Sequence, residues 1–233
     1  TKFFIVMGHD DVLKSNYLLE YVNHIDHDTV LVSSASIEID ANGLNVSRFF
    51  NINHRSYILK NKTVYSFDDL QYVTYLILRN GAVFGELPCL MFSTKAFRLA
   101  GEFSKEYEHG ADIEIILRIL NYGKLLFINK NLLLRRFHVE QLTYVHLKKG
   151  AITRDRQKFF QQYSENLSLN QKYFCSASII FKCIYDILRL PLHRNFLVVI
   201  EATKVIYYHL GLSILYLPFV VFESFLRKNF DEI

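Results

Sequence analysis

Apolar positions along this chain recur first at strand spacing and later at helix spacing. Phe3-Phe4-Ile5-Val6-Met7 is a short unbroken apolar run, the pattern of a buried strand, and it leads straight into Gly8-His9-Asp10-Asp11. Leu13, Tyr17, Leu18, Tyr21, Val22 and Ile25 then fall at helical intervals, which predicts a helix from Val12 to about Ile25. Thr29 to Ser34 reads as a second buried strand, and Ile37 and Ile39 alternate with Glu38 and Asp40 ahead of the turn Ala41-Asn42-Gly43. The stretch Asn51 to Lys62 is polar and irregular. After it, a helix from Asp69 to Leu78 is capped by Asp68 and stopped by Asn80-Gly81.

Further on, Pro88 forces the chain extended before the apolar run Cys89 to Phe92, and Thr94 caps a short helix, Lys95 to Leu99, that ends near Gly101. A helix from about Ile113 to Tyr122 buries Ile115, Ile116, Ile119 and Leu120 and closes at Gly123. Glu114 and Arg118 lie four apart on it and read as an exposed ion pair worth about a few tenths of a kcal/mol. Leu125 to Ile128 and Leu132 to Phe137 read as two strands around an Asn129-Lys130-Asn131 turn. Beyond 147 the pattern is helical only. Lys148-Lys149 and Arg154 to Lys158 open an amphipathic helix carrying Phe159, Phe160, Tyr163 and Leu167, and the segments Phe174 to Leu190 and Phe196 to Phe222 are very apolar.

Composition narrows the function classes. The 233 residues are 51% apolar, enough for a real core, and the net charge of +4 is spread along the chain. With no arginine-rich run and no aromatic RNA-binding signature, nucleic acid is not the expected partner. Cys89, Cys175 and Cys183 lack paired metal-ligand spacing, and an odd count suits a reducing compartment. The 15 tyrosines and 20 phenylalanines, with no tryptophan, point to no particular chemistry.

Two places carry candidate chemistry. A strand running into adjacent carboxylates puts Asp10 and Asp11 at the carboxyl edge of a sheet, where open α/β folds bind ligands and where a hard cation could bridge a diphosphate. The competing reading is that Asp11 caps the following helix. The second place is Gly110-Ala111-Asp112-Ile113-Glu114, at the start of a helix whose dipole favours the ionised form of Asp112; here too a plain N-cap is the alternative. Arg136 and His138, two apart at the end of a strand, face one side.

Taken in order, Gly8-His9-Asp10-Asp11, Pro88, Cys89 to Phe92, Lys95-Ala96-Phe97, Gly101-Glu102-Phe103, Gly110 to Lys124 and Arg136-Phe137-His138 resemble the acceptor half of a family-2-type, GT-A-fold glycosyltransferase. The resemblance spans roughly residues 1 to 146. It implies an α/β fold, a GT-A-like mixed sheet flanked by helices, with the N-terminal nucleotide-binding units missing and a C-terminal α-helical extension over 147–233. It implies an inverting transfer of a sugar from a nucleotide-diphosphate donor, with UDP-sugars expected, to a glycan or lipid-linked acceptor in cell-surface polysaccharide synthesis. In that scheme Asp112 is the general base, and Arg136 and His138 hold the donor diphosphate. Asp10, Asp11 and His138, with His9 as a further candidate, hold Mg2+ or Mn2+. Two departures bear on it: Gly8 stands where relatives often carry another aspartate, and Ala111 where a glutamate often precedes the base.

No charged residue occurs from Val205 to Phe222, close to bilayer-spanning length, yet Gly211, Pro218, His209 and the tyrosines interrupt a simple span. The flanking cations Arg189, Arg194, Lys204, Arg227 and Lys228 suit helices lying on an anionic membrane surface. Packing of these helices on protein is the equal alternative. With the resemblance, this places the protein at the cytoplasmic, inner face of the cell membrane, attached peripherally. Two rival functions stay open: a degenerate, non-catalytic membrane-associated interaction module, and a metal-dependent hydrolase built on His9, Asp10 and Asp11.

Overall fold

The fold is mixed α/β. A computed structural model of the chain describes residues 1–46, 62–137, 142–189 and 196–221. His138, the irregular stretch after Asn51 as far as residue 61, and the expected cations Arg194, Arg227 and Lys228 lie outside the described residues. Two compact units form. One holds residues 1–73, 82–104 and 112–138; the other holds 74–81, 105–111 and 139–233.

The first unit is built on a mixed, curled sheet of six strands: β1 (Phe3–Ile5), β2 (Val12–Leu13), β3 (Thr29–Ile39), β4 (Val64–Phe67), β5 (Leu90–Ser93) and β6 (Lys124–Arg136). Its order is β1-β5-β3-β6-β2, with β4 on β6 as well. β5 runs antiparallel to both β1 and β3, and β3 runs parallel to β6. β1, β3 and β6 therefore all point the same way, and their carboxyl ends share one edge with the start of β5. Every residue from Thr29 to Ser34 is buried, as a central strand covered on both faces requires.

Helix α1 (Tyr17–Val22) covers part of this sheet. Tyr17 and Tyr21 pack with Val32, Met91, Leu126, Ile128 and Leu132. Their hydroxyls donate to Pro88 O at 3.0 Å and Cys89 O at 2.6 Å, which fixes the entry to β5. Phe4, Phe92, Phe97 and Phe103 form an aromatic cluster where α3 (Thr94–Leu99) meets β5, with Phe4 and Phe97 centred 4.9 Å apart. Much of the phenylalanine content is thus packing.

Several local expectations change. The single helix over 12–25 is instead the short strand β2, paired to Leu133 and Leu134, followed by α1, because β6 offers Val12 and Leu13 a free ladder. The Asn129-Lys130-Asn131 turn is a bulge inside one long β6, marked by the register jump from Ser34–Ile128 to Ala35–Asn131. The caps lie one residue away from those expected. Asp69 Oδ1 accepts from Tyr72 N at 3.0 Å at the start of α2 (Leu70–Asn80), and Ser93 Oγ from Ala96 N at 3.4 Å. The turn after Ile39 forms as expected, with Gly43 at positive φ and Asp40 Oδ1 accepting from Asn42 N and Leu44 N.

The Glu114–Arg118 pair on α4 (Ala111–Ile119) is not an exposed one. Glu114 is buried and holds Arg118 through two contacts of 2.6 Å. Gly101 and Glu102 both adopt positive φ and turn the carbonyls of Ala100 and Glu102 onto the same guanidinium. The pair is a clamp between α4 and the end of α3.

The second unit is helical: α5 (Leu142–Lys148), α6 (Ala151–Tyr163), α7 (Leu169–Arg189) and α8 (Phe196–His209), with Ile179, Cys183, Ala202 and Val205 as one buried core. Residues 105–110 belong to it and are tied to α6. Tyr107 stacks on Phe159 at 4.6 Å, Glu108 pairs with Arg154 at 2.7 Å, and buried Asp155 accepts from His109 N and Gly110 N at 2.7 and 3.0 Å. All three cysteines are free and buried.

Candidate functional site

The carboxyl edge of the sheet gathers most of the residues singled out in the sequence. The loop between β1 and β2 delivers Asp10 and Asp11, and β6 ends in Arg135 and Arg136. Asp11 Oδ1 accepts from the Arg136 N–H at 3.0 Å. The Arg136 guanidinium reaches three carbonyls: Asp10 O at 3.1 Å through Nε, and Asp40 O at 2.7 Å and Ala41 O at 2.9 Å through Nη1. It thereby fastens the Asp10–Asp11 loop to the turn after β3. His9 is exposed, with Nδ1 3.9 Å from Asp10 Oδ1.

Gly8 acquires a geometric reason. A side-chain carbon placed there would lie 2.9 Å from Asp11 Oδ2 and 3.0 Å from Asp10 Oδ1, so both carboxylates fold back over the glycine. Two hard oxygens converging on one point suit a cation that also takes phosphate oxygens. Among the described residues, no group of three or more His, Cys, Asp or Glu side chains is arranged to hold a metal. A cation here would rest on the Asp10 and Asp11 carboxylates, with further positions open to a ligand.

Asp112 sits in the first turn of α4, half-buried, its Oδ1 accepting from Ile113 N at 2.9 Å. Burial, and then the neighbouring Glu86 carboxylate, push its pKa up from the ordinary 3.8 to about 7. Asp11 is also raised. Burial is the main cause and the Arg136 N–H opposes it, while the charges of Asp10 and Glu86 add to the rise. These carboxylates hold protons more firmly than usual, a state that a cation or a proton-donating substrate relieves.

Glu86, Arg135 and Glu38 were not singled out by sequence reasoning. Arg135 stands between Glu38 and Glu86 and makes an ion pair with each. Burial works against its charge, but the two carboxylates prevail and raise its pKa. Successive strand residues face opposite ways, so Arg135 and Arg136 serve different neighbours. The doublet itself was the one visible signal. Glu86 had none, because it reaches this edge only through the antiparallel direction of β5.

A cleft of about 730 Å³ lies at the opposite edge, lined by Lys2, His27, Thr94, Lys95 and Arg98 among others. Its lining includes none of Asp10, Asp11, Asp112, Glu86, Arg135 or Arg136.

In the second unit the end of the described chain exposes large apolar side chains: Tyr207, Tyr208, Leu210, Ile214, Leu215, Phe219 and Val221. Among the described residues no single helix is long and apolar enough to cross a membrane. Val198–His209 and Ser213–Val221 together reach that length, with a 102° bend between them.

No family model matches the chain, and no curated protein matches it.

Proposed function

We propose that this chain carries the metal-binding and acceptor half of an inverting, GT-A-type glycosyltransferase. The observation that carries this reading is the shared edge. Asp10 and Asp11 with Arg136 lie at the carboxyl ends of parallel strands, and the charge of Glu86 acts on both Asp11 and Asp112, whose pKa is raised to about 7. A carboxylate that titrates near neutrality is suited to take a proton from an acceptor hydroxyl as that oxygen attacks the anomeric carbon. Asp112 fills that role, working from a half-buried helix start that limits competition from water.

Asp10 and Asp11 would hold Mg2+ or Mn2+, which neutralises a donor diphosphate when bound. Arg136 holds the loop that carries them, and with His138 it would steady the leaving diphosphate. The donor is a nucleotide sugar, with UDP-sugars first, and the acceptor a glycan or lipid-linked sugar. The exposed apolar side chains from Tyr207 to Val221, in a stretch without charge, support attachment to the inner face of the cell membrane. Replacing Leu215 and Phe219 with Asp should release the protein from anionic vesicles, and unchanged binding would remove the membrane from this reading.

Asp112→Asn in the full-length protein tests the chemistry. The expected result is loss of transfer by about 10²-fold to 10⁴-fold with nucleotide binding kept. Near-normal turnover would sink the assignment of the base.

A further inference from the structure

Asp155 is a buried acid on α6, 2% exposed. Its Oδ2 accepts from two successive backbone groups, His109 N at 2.7 Å and Gly110 N at 3.0 Å, while its Oδ1 is buried with no hydrogen-bond partner among the described residues. Burying a carboxylate without a cation costs more than burying an apolar side chain of similar size, so the two amide bonds are what this acid supplies. Gly110 is pinned by the same helix: a side-chain carbon there would lie 2.5 Å from Phe159 Cε2, so its backbone rests directly on that ring. Just upstream, Lys158 Nζ donates to Glu106 O at 2.6 Å, and Tyr107 stacks on Phe159 and donates its hydroxyl to Gln162. The segment held in this way runs straight into Ala111, the first residue of α4, and then Asp112.

We propose that Asp155 is a positioning residue for Asp112: by holding the His109 and Gly110 amides it fixes where α4 begins, and so where the Asp112 carboxyl stands. Asp112 Oδ1 accepts from Ile113 N at 2.9 Å, within its own turn, so the direction of its carboxyl follows the direction of that turn. A reacting group misplaced by about 1 Å loses on the order of 10²-fold in rate, so a support of this kind acts on turnover and leaves donor binding alone. The inference rests on the transferase reading only in giving Asp112 the role of base; the hold on the start of α4 stands apart from it.

The test is carboxyl-carbon NMR of full-length protein labelled at aspartate, at one fixed alkaline pH, with the Asp112 signal identified by its loss in Asp112→Asn. In Asp155→Ala that signal should move, and amide exchange at His109 and Gly110 should speed up by about tenfold or more. Asp155→Asn keeps an oxygen that accepts both N–H groups and should return both readings to near their wild-type values. Neither variant carries the Asp155 charge, so recovery in the asparagine form separates position from charge. In transfer assays kcat should fall by about 10-fold to 10²-fold in Asp155→Ala, with donor Kd unchanged, and recover in Asp155→Asn. An unmoved Asp112 signal in folded Asp155→Ala overturns the inference, and so does full kcat in that variant. If Asp155→Ala does not fold, Gly110→Ala presses the same segment from the Phe159 side, and an unmoved Asp112 signal there overturns the inference as well. A displaced signal in a protein that transfers no sugar upholds the positioning and removes the transferase reading.

Discussion

Asp112→Asn should stabilise the protein while disabling it. The carboxyl of Asp112 titrates at about 7 in the folded chain against an ordinary 3.8, so the folded state binds a proton that the unfolded state releases. The corresponding stability is fully present below pH 4 and is lost as pH rises through 7. At about 1.4 kcal/mol per pH unit, the span amounts to about 4 kcal/mol lost by pH 8. Asparagine carries no charge to desolvate or to repel Glu86, and its Oδ1 can still accept from Ile113 N, as the aspartate does at 2.9 Å. Urea unfolding of wild type and variant at pH 4 and pH 8 reads the effect directly. The two should differ little at pH 4, and the variant should be more stable by up to about 4 kcal/mol at pH 8. A variant equal to or weaker than wild type at pH 8 would refute the reasoning, because it would mean that the Asp112 charge costs the fold nothing.

Other consequences follow from the same physics. His209 is buried between Ser176 and Gln157, and burial lowers its pKa from 6.5 to about 4. The folded state therefore resists protonating it, and about 3 kcal/mol of stability should be lost as pH falls from 6.5 through 4, a slope that His209→Gln should flatten in acid unfolding curves. Arg118→Met should cost about 3 to 5 kcal/mol in urea unfolding, since it strands the buried Glu114 carboxylate and frees the Ala100 and Glu102 carbonyls. Gly123→Ala should destabilise by more than about 2 kcal/mol in thermal unfolding, because its added carbon would meet the Asp28 carbonyl oxygen at 2.3 Å, and backbone cannot yield as a side chain can.

How much was legible in the sequence depended on whether a feature was local. The apolar faces of α4 and the buried run of β3 were plain, since periodicity reports burial directly. The carboxyl-edge position of Asp10 and Asp11 was also readable, because strand-then-acid is a local arrangement. Pairing was not. Val12 and Leu13 look helical until β6 is there to receive them, and Asn129 to Asn131 look like a turn until β3 carries the chain past it as a bulge. Charge partners were hidden for the same reason. Arg118 reads as half of a weak surface pair unless the positive φ of Gly101 and Glu102 is known. Glu86 and Arg135 are distant in sequence and meet only because β5 and β6 flank β3 and run in opposite directions.

The central claim is a nucleotide-sugar site at this sheet edge. Its most direct test is calorimetric binding of a panel of nucleotide sugars to the full-length protein, with and without Mg2+ or Mn2+, beside the Asp10→Ala/Asp11→Ala variant. The account predicts that one donor binds only with metal present and only when both aspartates are intact. Well-folded protein that binds no donor, or binds one equally well without metal and without those carboxylates, would contradict it.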